Sequence, residues 1–226
     1  FISDPHFGSR YHAEDEFHDY IKLLKRREVD TLVCAGDISD GLGMHEGMDS
    51  EQFLHKPKDI LNYIVDHYPK GFKTNVFITG NHDYSLQRNG CLDLGLAVAE
   101  RRDDLIYVGH DRGYVTVDGG LEIFLYHGSN GCSDARSKRA QDLAFRVACE
   151  RKGKVPHVLA TGHCHMENWT PRYMGMSLLS LGSFQYQTPH LAGKMLYPDV
   201  SGAILTYQII NGKLVNPSLE SVQYAN

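Results

Sequence analysis

Five short polar clusters stand out in the 226-residue sequence for what their side chains can do: Asp4-Pro5-His6, Gly36-Asp37-Ile38-Ser39-Asp40, Gly80-Asn81-His82-Asp83, His127-Gly128 and Gly162-His163-Cys164-His165. Each offers a carboxylate, a carboxamide oxygen or an imidazole. A mixed nitrogen and oxygen set suits Mn, Fe or Zn, because imidazole favours those ions whereas Ca and Mg prefer oxygen cages. Asp4, His6, Asp37, Asn81, His127, His163 and His165 make seven candidate ligands, more than one open catalytic ion takes from a protein. A bridging Asp37 lets the set hold two divalent ions. Two ions roughly 3.5–4 Å apart would share a water, lower its pKa and clamp both oxygens of an in-line phosphoryl displacement. Two dications against Asp4 and Asp37 leave a positive surplus that favours an anionic phosphate. No cysteine cluster or haem-attachment spacing supports redox chemistry instead.

Each cluster follows a run of strand type, and the elements around them are legible as well. Thr31–Ala35, Asn75–Thr79, Leu121–Tyr126 and His157–Thr161 read as buried strands that end at a polar tip. Apolar spacing at Phe17, Tyr20, Ile21 and Leu24 predicts one amphipathic helix, and Ile60, Leu61, Ile64, Val65 and Tyr68 predict another. Residues 135–150 return to helical spacing through Ala140, Leu143, Ala144, Val147 and Ala148. Asp118-Gly119-Gly120, between Tyr114–Val117 and Leu121–Tyr126, predicts a hairpin turn. The alternation predicts an α/β architecture, largely parallel in its first half, with a strand-rich second half supplying a second sheet packed face to face. In such sheets ligand sites form outside the carboxyl ends of the strands, where these clusters converge.

The chain carries 23 Lys and Arg against 28 Asp and Glu, a formal charge of −5. Any anionic substrate must therefore be drawn by a local site rather than by bulk charge. With 42% hydrophobic residues and no repeat or long linker, one domain over residues 1–226 is the simplest partition. No run approaches the roughly 18 apolar residues a bilayer requires, and no signal core opens the chain, so a cytoplasmic protein without a membrane span is expected. The five cysteines, odd in number and widely spaced, favour a reducing compartment over a disulfide framework. On an extended backbone Cys164 points away from its histidine neighbours, which predicts packing. Phe1-Ile2 reads as the end of a buried strand, and further residues are expected upstream.

In order and wording the five clusters resemble the calcineurin-like metallophosphoesterase superfamily, whose pattern runs D-x-H, G-D-x-x-D, G-N-H-D/E, H and G-H-x-H. The resemblance implies a four-layer α/β/β/α sandwich with two central mixed sheets. It places Asp4, His6, Asp37 and His165 on one ion and Asp37, Asn81, His127 and His163 on the other, with Mn favoured and Fe or Zn as options. It makes His82 the general acid that protonates the leaving oxygen, and Asp40 the group that orients that imidazole. Pro5 replaces the usual Leu or Thr of the first motif, a change a loop tolerates.

The reaction class implied is phosphoester hydrolysis. Protein phosphatases of the superfamily follow the second motif with Arg where this sequence has Gly41, which favours a phosphodiesterase, and a nuclease over the others. A local run of Arg136, Lys138, Arg139, Arg146, Arg151, Lys152 and Lys154 against Asp134, Asp142 and Glu150 supports that direction. Arg139 and Arg146 share one side of the predicted helix and are candidates for steering a polyanion. Gln185 and Tyr186, in the segment Ser183–Pro189, are candidates for contacting a base. Of the histidines outside the motifs, His12 and His45 follow motif strands closely enough to reach the cleft. The expected partner is a nucleic acid or nucleotide phosphoester. The alternatives are a small-molecule nucleotide phosphodiesterase, pyrophosphatase or phosphomonoesterase, and a scaffold that keeps the fold without catalysis. A scaffold predicts eroded ligands, and none of the motif ligands is eroded.

Overall fold

The apolar runs condense into two sheets. The computed structural model describes residues 1–129, 131–133 and 135–224; Asp134, counted above in the charged run, lies outside them. In chain order the elements are α1 (Glu14–Arg26), β1 (Thr31–Cys34), α2 (Met48–Glu51), α3 (Pro57–His67), β2 (Thr74–Thr79), α4 (Asn81–Gly90), α5 (Leu94–Arg101), β3 (Ile106–His110), β4 (Arg112–Val117), β5 (Leu121–Tyr126), α6 (Lys138–Glu150), β6 (Val158–Thr161), β7 (Asn168–Tyr173), β8 (Met176–Ser180), α7 (Pro189–Gly193), β9 (Ser201–Ile210) and β10 (Lys213–Gln223).

One sheet pairs β1, β2 and β3 in parallel. Phe1 and Ile2 extend it: the Ile2 amide donates to Val33 O and the Ala203 amide to Phe1 O, which joins the antiparallel pair β9–β10 to β1. The second sheet runs β4-β5-β6-β8-β7, with β5, β6 and β8 parallel. Gly119 and Gly120, both at positive φ, close the β4–β5 hairpin.

Period-two alternation sends Val33, Val76 and Ile78 of the first sheet toward Ile123, Leu125, Val158 and Leu179 of the second. The opposite face of the first sheet, with Leu32, Cys34 and Phe77, is covered by Phe17, Tyr20 and Leu24 of α1, Ile60 and Ile64 of α3, and Val98 of α5. Helix α6 covers Phe124, Leu159 and Leu178 through Ala140, Ala144 and Val147. Each large side chain fully buried in these layers contributes about 1.5–3 kcal/mol. The result is the four-layer α/β/β/α order. Acidic Glu14, Asp15 and Glu16 in the first turn of α1, with Lys25 and Arg26 in its last, complement the helix dipole. Among the described residues no helix is long and apolar enough to cross a membrane.

The parallel strands set the site. Ile2, β1, β2, β5 and β6 all release the chain at the same edge of the sandwich, where Asp4, Asp37, Asn81, His127 and His163 follow.

Candidate metal centre

Asp4 and Asp37 are fully buried and built alike. One oxygen of each is anchored and the other faces ring nitrogens. Asp4 Oδ2 accepts from the Ser3 hydroxyl and from the His163 amide at 3.0 Å. Its Oδ1 lies 3.1 Å from His165 Nε2, 3.7 Å from His6 Nε2 and 3.8 Å from His127 Nε2. Asp37 Oδ1 accepts from the His82 amide at 2.8 Å, and its Oδ2 lies 2.9 Å from His127 Nε2. His6 Nε2 and His165 Nε2 are 3.2 Å apart, and His163 Nδ1 is 2.8 Å from Asn81 Oδ1.

Separations of about 3.0–3.4 Å are those between neighbouring ligands of one ion with bonds of about 2.1 Å. Three groups result: Asp4 with His6 and His165, Asp37 with His127 and His163, and His6 with Asp40 and His82, the last sharing His6 with the first. Tautomers are set from behind. His127 Nδ1 donates to Ala35 O at 2.7 Å and His6 Nδ1 to Asp40 Oδ1 at 3.1 Å, leaving each Nε2 lone pair for the centre. His127 Nε2, buried and without a hydrogen-bond partner, faces Asp37 Oδ2, and His165 Nε2 faces Asp4 Oδ1. Ring nitrogens converging with carboxylates in this way fit a pair of divalent cations.

Electrostatics agree. Burial alone would protonate Asp4 and Asp37 and strip His6 and His127; the pairing reverses both tendencies, holding the carboxylates well below their usual range and lifting His6 to about 10 and His127 to about 9. Protons thus do the neutralising that a bound cation would do. Burial, then repulsion from His127, holds His163 down at about 3, so its ring is neutral.

The backbone pays for this convergence in conformation. Asp4, His6, Asp37, His163 and His165 all sit at positive φ, between 46° and 76°, a region costly for residues other than glycine and frequent at functional sites. The motif glycines admit it: a Cβ on Gly80 would lie 2.3 Å from Asp37 Oδ1, and one on Gly162 would lie 2.2 Å from Ser3 Oγ.

His82 also lines the cleft. Its Nδ1 donates to the backbone carbonyl of Asp40 at 2.6 Å, which leaves Nε2 as the other ring nitrogen for chemistry. Asp40 thus holds the His82 ring as expected, but through its main chain and not its carboxylate. That carboxylate instead accepts from His6 Nδ1, Gln52 Nε2 at 2.9 Å and Gln185 Nε2 at 3.2 Å. Asp83, given no role by the sequence reading, ties two motif loops together: it accepts from the amides of Ile38, Ser39 and Gly80 and from the Ser39 hydroxyl. Burial, reinforced by Asp37, pushes its carboxyl up to about 6.

The cleft above the centre has a volume of about 450 Å³. Of the four substrate candidates, Gln185 lines it, but its carboxamide is spent on Ser9 and Asp40. Tyr186 turns away, packed against the first core with its hydroxyl on Glu16. Arg139 lies behind the centre, donating to His127 O at 2.6 Å and to Cys164 Sγ at 2.9 Å. Arg146 borders a separate groove of about 170 Å³. Three of the seven cations of the basic run are paired, Arg136 with Asp199, Lys138 with Asp142 and Arg151 with Glu122. Instead the outer wall is formed by His45, which stacks on His190 with centroids 4.0 Å apart, together with Lys194 and Tyr197. No motif marks these residues. His12, half-buried, packs against Phe7 and Phe17 and does not line the cleft.

Cys164 forms a disulfide with Cys132, correcting both the packing reading and the expectation of reduced cysteines. The alternation argument fails because His163 and His165 are left-handed rather than extended.

Residues 1–188 match the calcineurin-like phosphoesterase family. The chain belongs to that family. Among curated proteins, this calcineurin-like phosphoesterase is 28% identical over 239 residues to the DNA polymerase II small subunit of Methanothermobacter thermautotrophicus, covering 83% of this chain and 47% of that protein. It is 26% identical to the DNA polymerase II small subunit of Halobacterium salinarum over 238 residues, covering 89% and 46% respectively. The chain spans about half the length of these relatives. Among solved structures, wild-type Vps29 of Entamoeba histolytica complexed with zinc matches with a TM-score of 0.49 at 16% identity, covering 98% of this chain and 96% of that one.

Proposed function

We propose that this calcineurin-like phosphoesterase is a dinuclear metal-dependent hydrolase of phosphodiester bonds, a nuclease working as a subunit of a DNA-synthesising assembly. The observation that carries the catalytic reading is the convergence of seven intact ligand side chains beneath an open cleft, with His82 on its wall. Asp4, His6, Asp37 and His165 hold one ion, and Asp37, Asn81, His127 and His163 the other, with Mn the favoured metal. When bound, such a pair supplies Lewis acidity at the phosphoryl oxygens and lowers the pKa of the attacking water.

The chain's own residues do the rest. Asp4 and Asp37 keep their free oxygens on the centre because their other oxygens are tied to backbone amides. His82, with Nδ1 held by the Asp40 carbonyl, presents Nε2 to the leaving oxygen as general acid. Lys194 on the rim draws the anion, and the His45–His190 stack gives a flat wall against which a nucleotide rests. The nucleic-acid reading takes support from the relatives, whose names place them as small subunits of DNA polymerase II.

The test is a Mn-supplemented assay across DNA, RNA, cyclic nucleotides and dinucleoside polyphosphates. Preference for polynucleotide is expected; turnover confined to the small nucleotides overturns the nuclease assignment. Neither bound metal nor turnover in Mn would leave a scaffold.

A further inference from the structure

The segment that delivers His163 and His165 to the centre is tethered at its middle residue. Cys164 is bonded to Cys132, which lies in the connection between β5 and α6, with Cα atoms 5.6 Å apart. That spacing is ordinary for a disulfide. Three further observations separate this pair from a structural staple. Both cysteines line the cleft, so solutes reach them. The guanidinium of Arg139 donates to Cys164 Sγ at 2.9 Å, so a polar cation stands beside this sulfur rather than an apolar core. The residues on either side of Cys164 are candidate metal ligands held at φ 76° and 53°, a conformation that needs outside constraint.

We propose that Cys132 and Cys164 are a reversible thiol–disulfide modification site that sets the metal affinity of the centre. The proposal rests on the metal site of the preceding section. In the disulfide form the tether holds the His163–His165 segment in its ligating conformation. Reduction releases Cys164 and relaxes both histidines, so the metal is held more weakly. The reductant is a dithiol, either small or carried by a protein. One of its thiolates attacks Cys132 Sγ, the sulfur–sulfur bond breaks, and Cys164 leaves as the thiolate that Arg139 receives. The second thiolate of the reductant then attacks the mixed disulfide and expels Cys132. Two electrons pass to the protein, the released thiolates take up the two protons that the reductant's thiols gave to solvent, and the reductant becomes a disulfide. A small-molecule disulfide such as oxidised glutathione runs the exchange in reverse. The remaining cysteines serve as internal controls, with Cys91 and Cys149 exposed and Cys34 buried.

The experiment titrates Mn into the full chain by calorimetry, after oxidation with oxidised glutathione or reduction with dithiothreitol, each followed by desalting under anaerobic conditions. Peptide mapping after alkylation reports the 132–164 link directly. Reduction is expected to weaken Mn binding about tenfold or more, the scale on which groups that orient a ligand act. Cys132→Ser, which leaves the ligand segment itself unaltered, should bind like the reduced protein whatever the treatment. Equal Mn affinity in the two forms overturns the proposal and leaves the metal site standing. Absence of Mn binding in both forms overturns the metal site and the proposal with it. A redox response that persists in Cys132→Ser belongs to the other cysteines and also overturns it.

Discussion

The carboxylate of Asp40 lies 3.1 Å from Nδ1 of His6, while only its backbone carbonyl reaches His82. A carboxylate behind a metal-binding imidazole fixes the tautomer and raises ligand basicity. Asp40→Ala is therefore expected to lower metal affinity by about 10- to 100-fold while leaving the His82 hydrogen bond in place. Metal content by elemental analysis, set beside turnover at saturating Mn, checks this. Full metal occupancy with lost turnover would return Asp40 to the role of orienting His82.

On the proposed mechanism, His82→Ala removes the proton donor and none of the seven proposed ligands. Mn binding should be unchanged, and kcat on a diester with a poor leaving group should fall by about 10²- to 10⁴-fold. A diester with a good leaving group, such as a nitrophenyl ester, should lose much less, because its departure needs no proton. Equal losses on both substrates would exclude His82 as the acid.

Gly80→Ala places a Cβ against Asp37 Oδ1. Overpacking of this kind costs about 1–3 kcal/mol, and here it also displaces a ligand, so chemical denaturation and metal titration should both register it. Gly193→Ala, whose Cβ meets nothing within 4 Å, is the matched control and should be neutral by both measures.

Stability should also depend on pH through His12. Burial holds this imidazole down at about 4 despite the hydrogen bonds it donates to the carbonyls of Pro5 and Phe184. Its folded pKa lies below the unfolded value of about 6.5, so between those values the unfolded chain binds more protons and stability rises with pH. Its contribution is complete above about pH 6.5 and is lost as pH falls toward 4, with an upper bound of about 3 kcal/mol. Urea titrations at several pH values should show the loss, and His12→Gln should flatten the profile in that window.

Much of this was legible in the residues. The helical spacing of α1 and α3, the buried runs of β1, β2, β5 and β6, and the polar tips after them are local patterns, and parallel strands leave little choice about where such tips meet. What stayed hidden depends on groups distant in the chain. Asp40 chooses between His6 and His82 by where residue 6 lands, 34 positions away. Tyr186 turns from the cleft because Glu16 and the α1 core are behind it. Arg139 reads as an exposed cation on a basic helix, yet it sits under the His127 carbonyl. The Cys164 error has a different origin: period-two reasoning presumes extended backbone, and a run of left-handed residues breaks that presumption without any sequence mark.

The left-handed backbone at Asp4, His6, Asp37, His163 and His165 also limits how the centre can be re-engineered. Asp, Asn and His enter that conformation more readily than other residues with a side chain, so the ligand types are selected twice, once for the ion and once for the bend. Recruiting a β-branched residue at Asp4 would strain the main chain before its donor atom was tested. Attempts to retune metal preference in a combinatorial library should therefore recover variants at Asn81 and His127, whose backbones carry no such restriction, and few at the other five ligands.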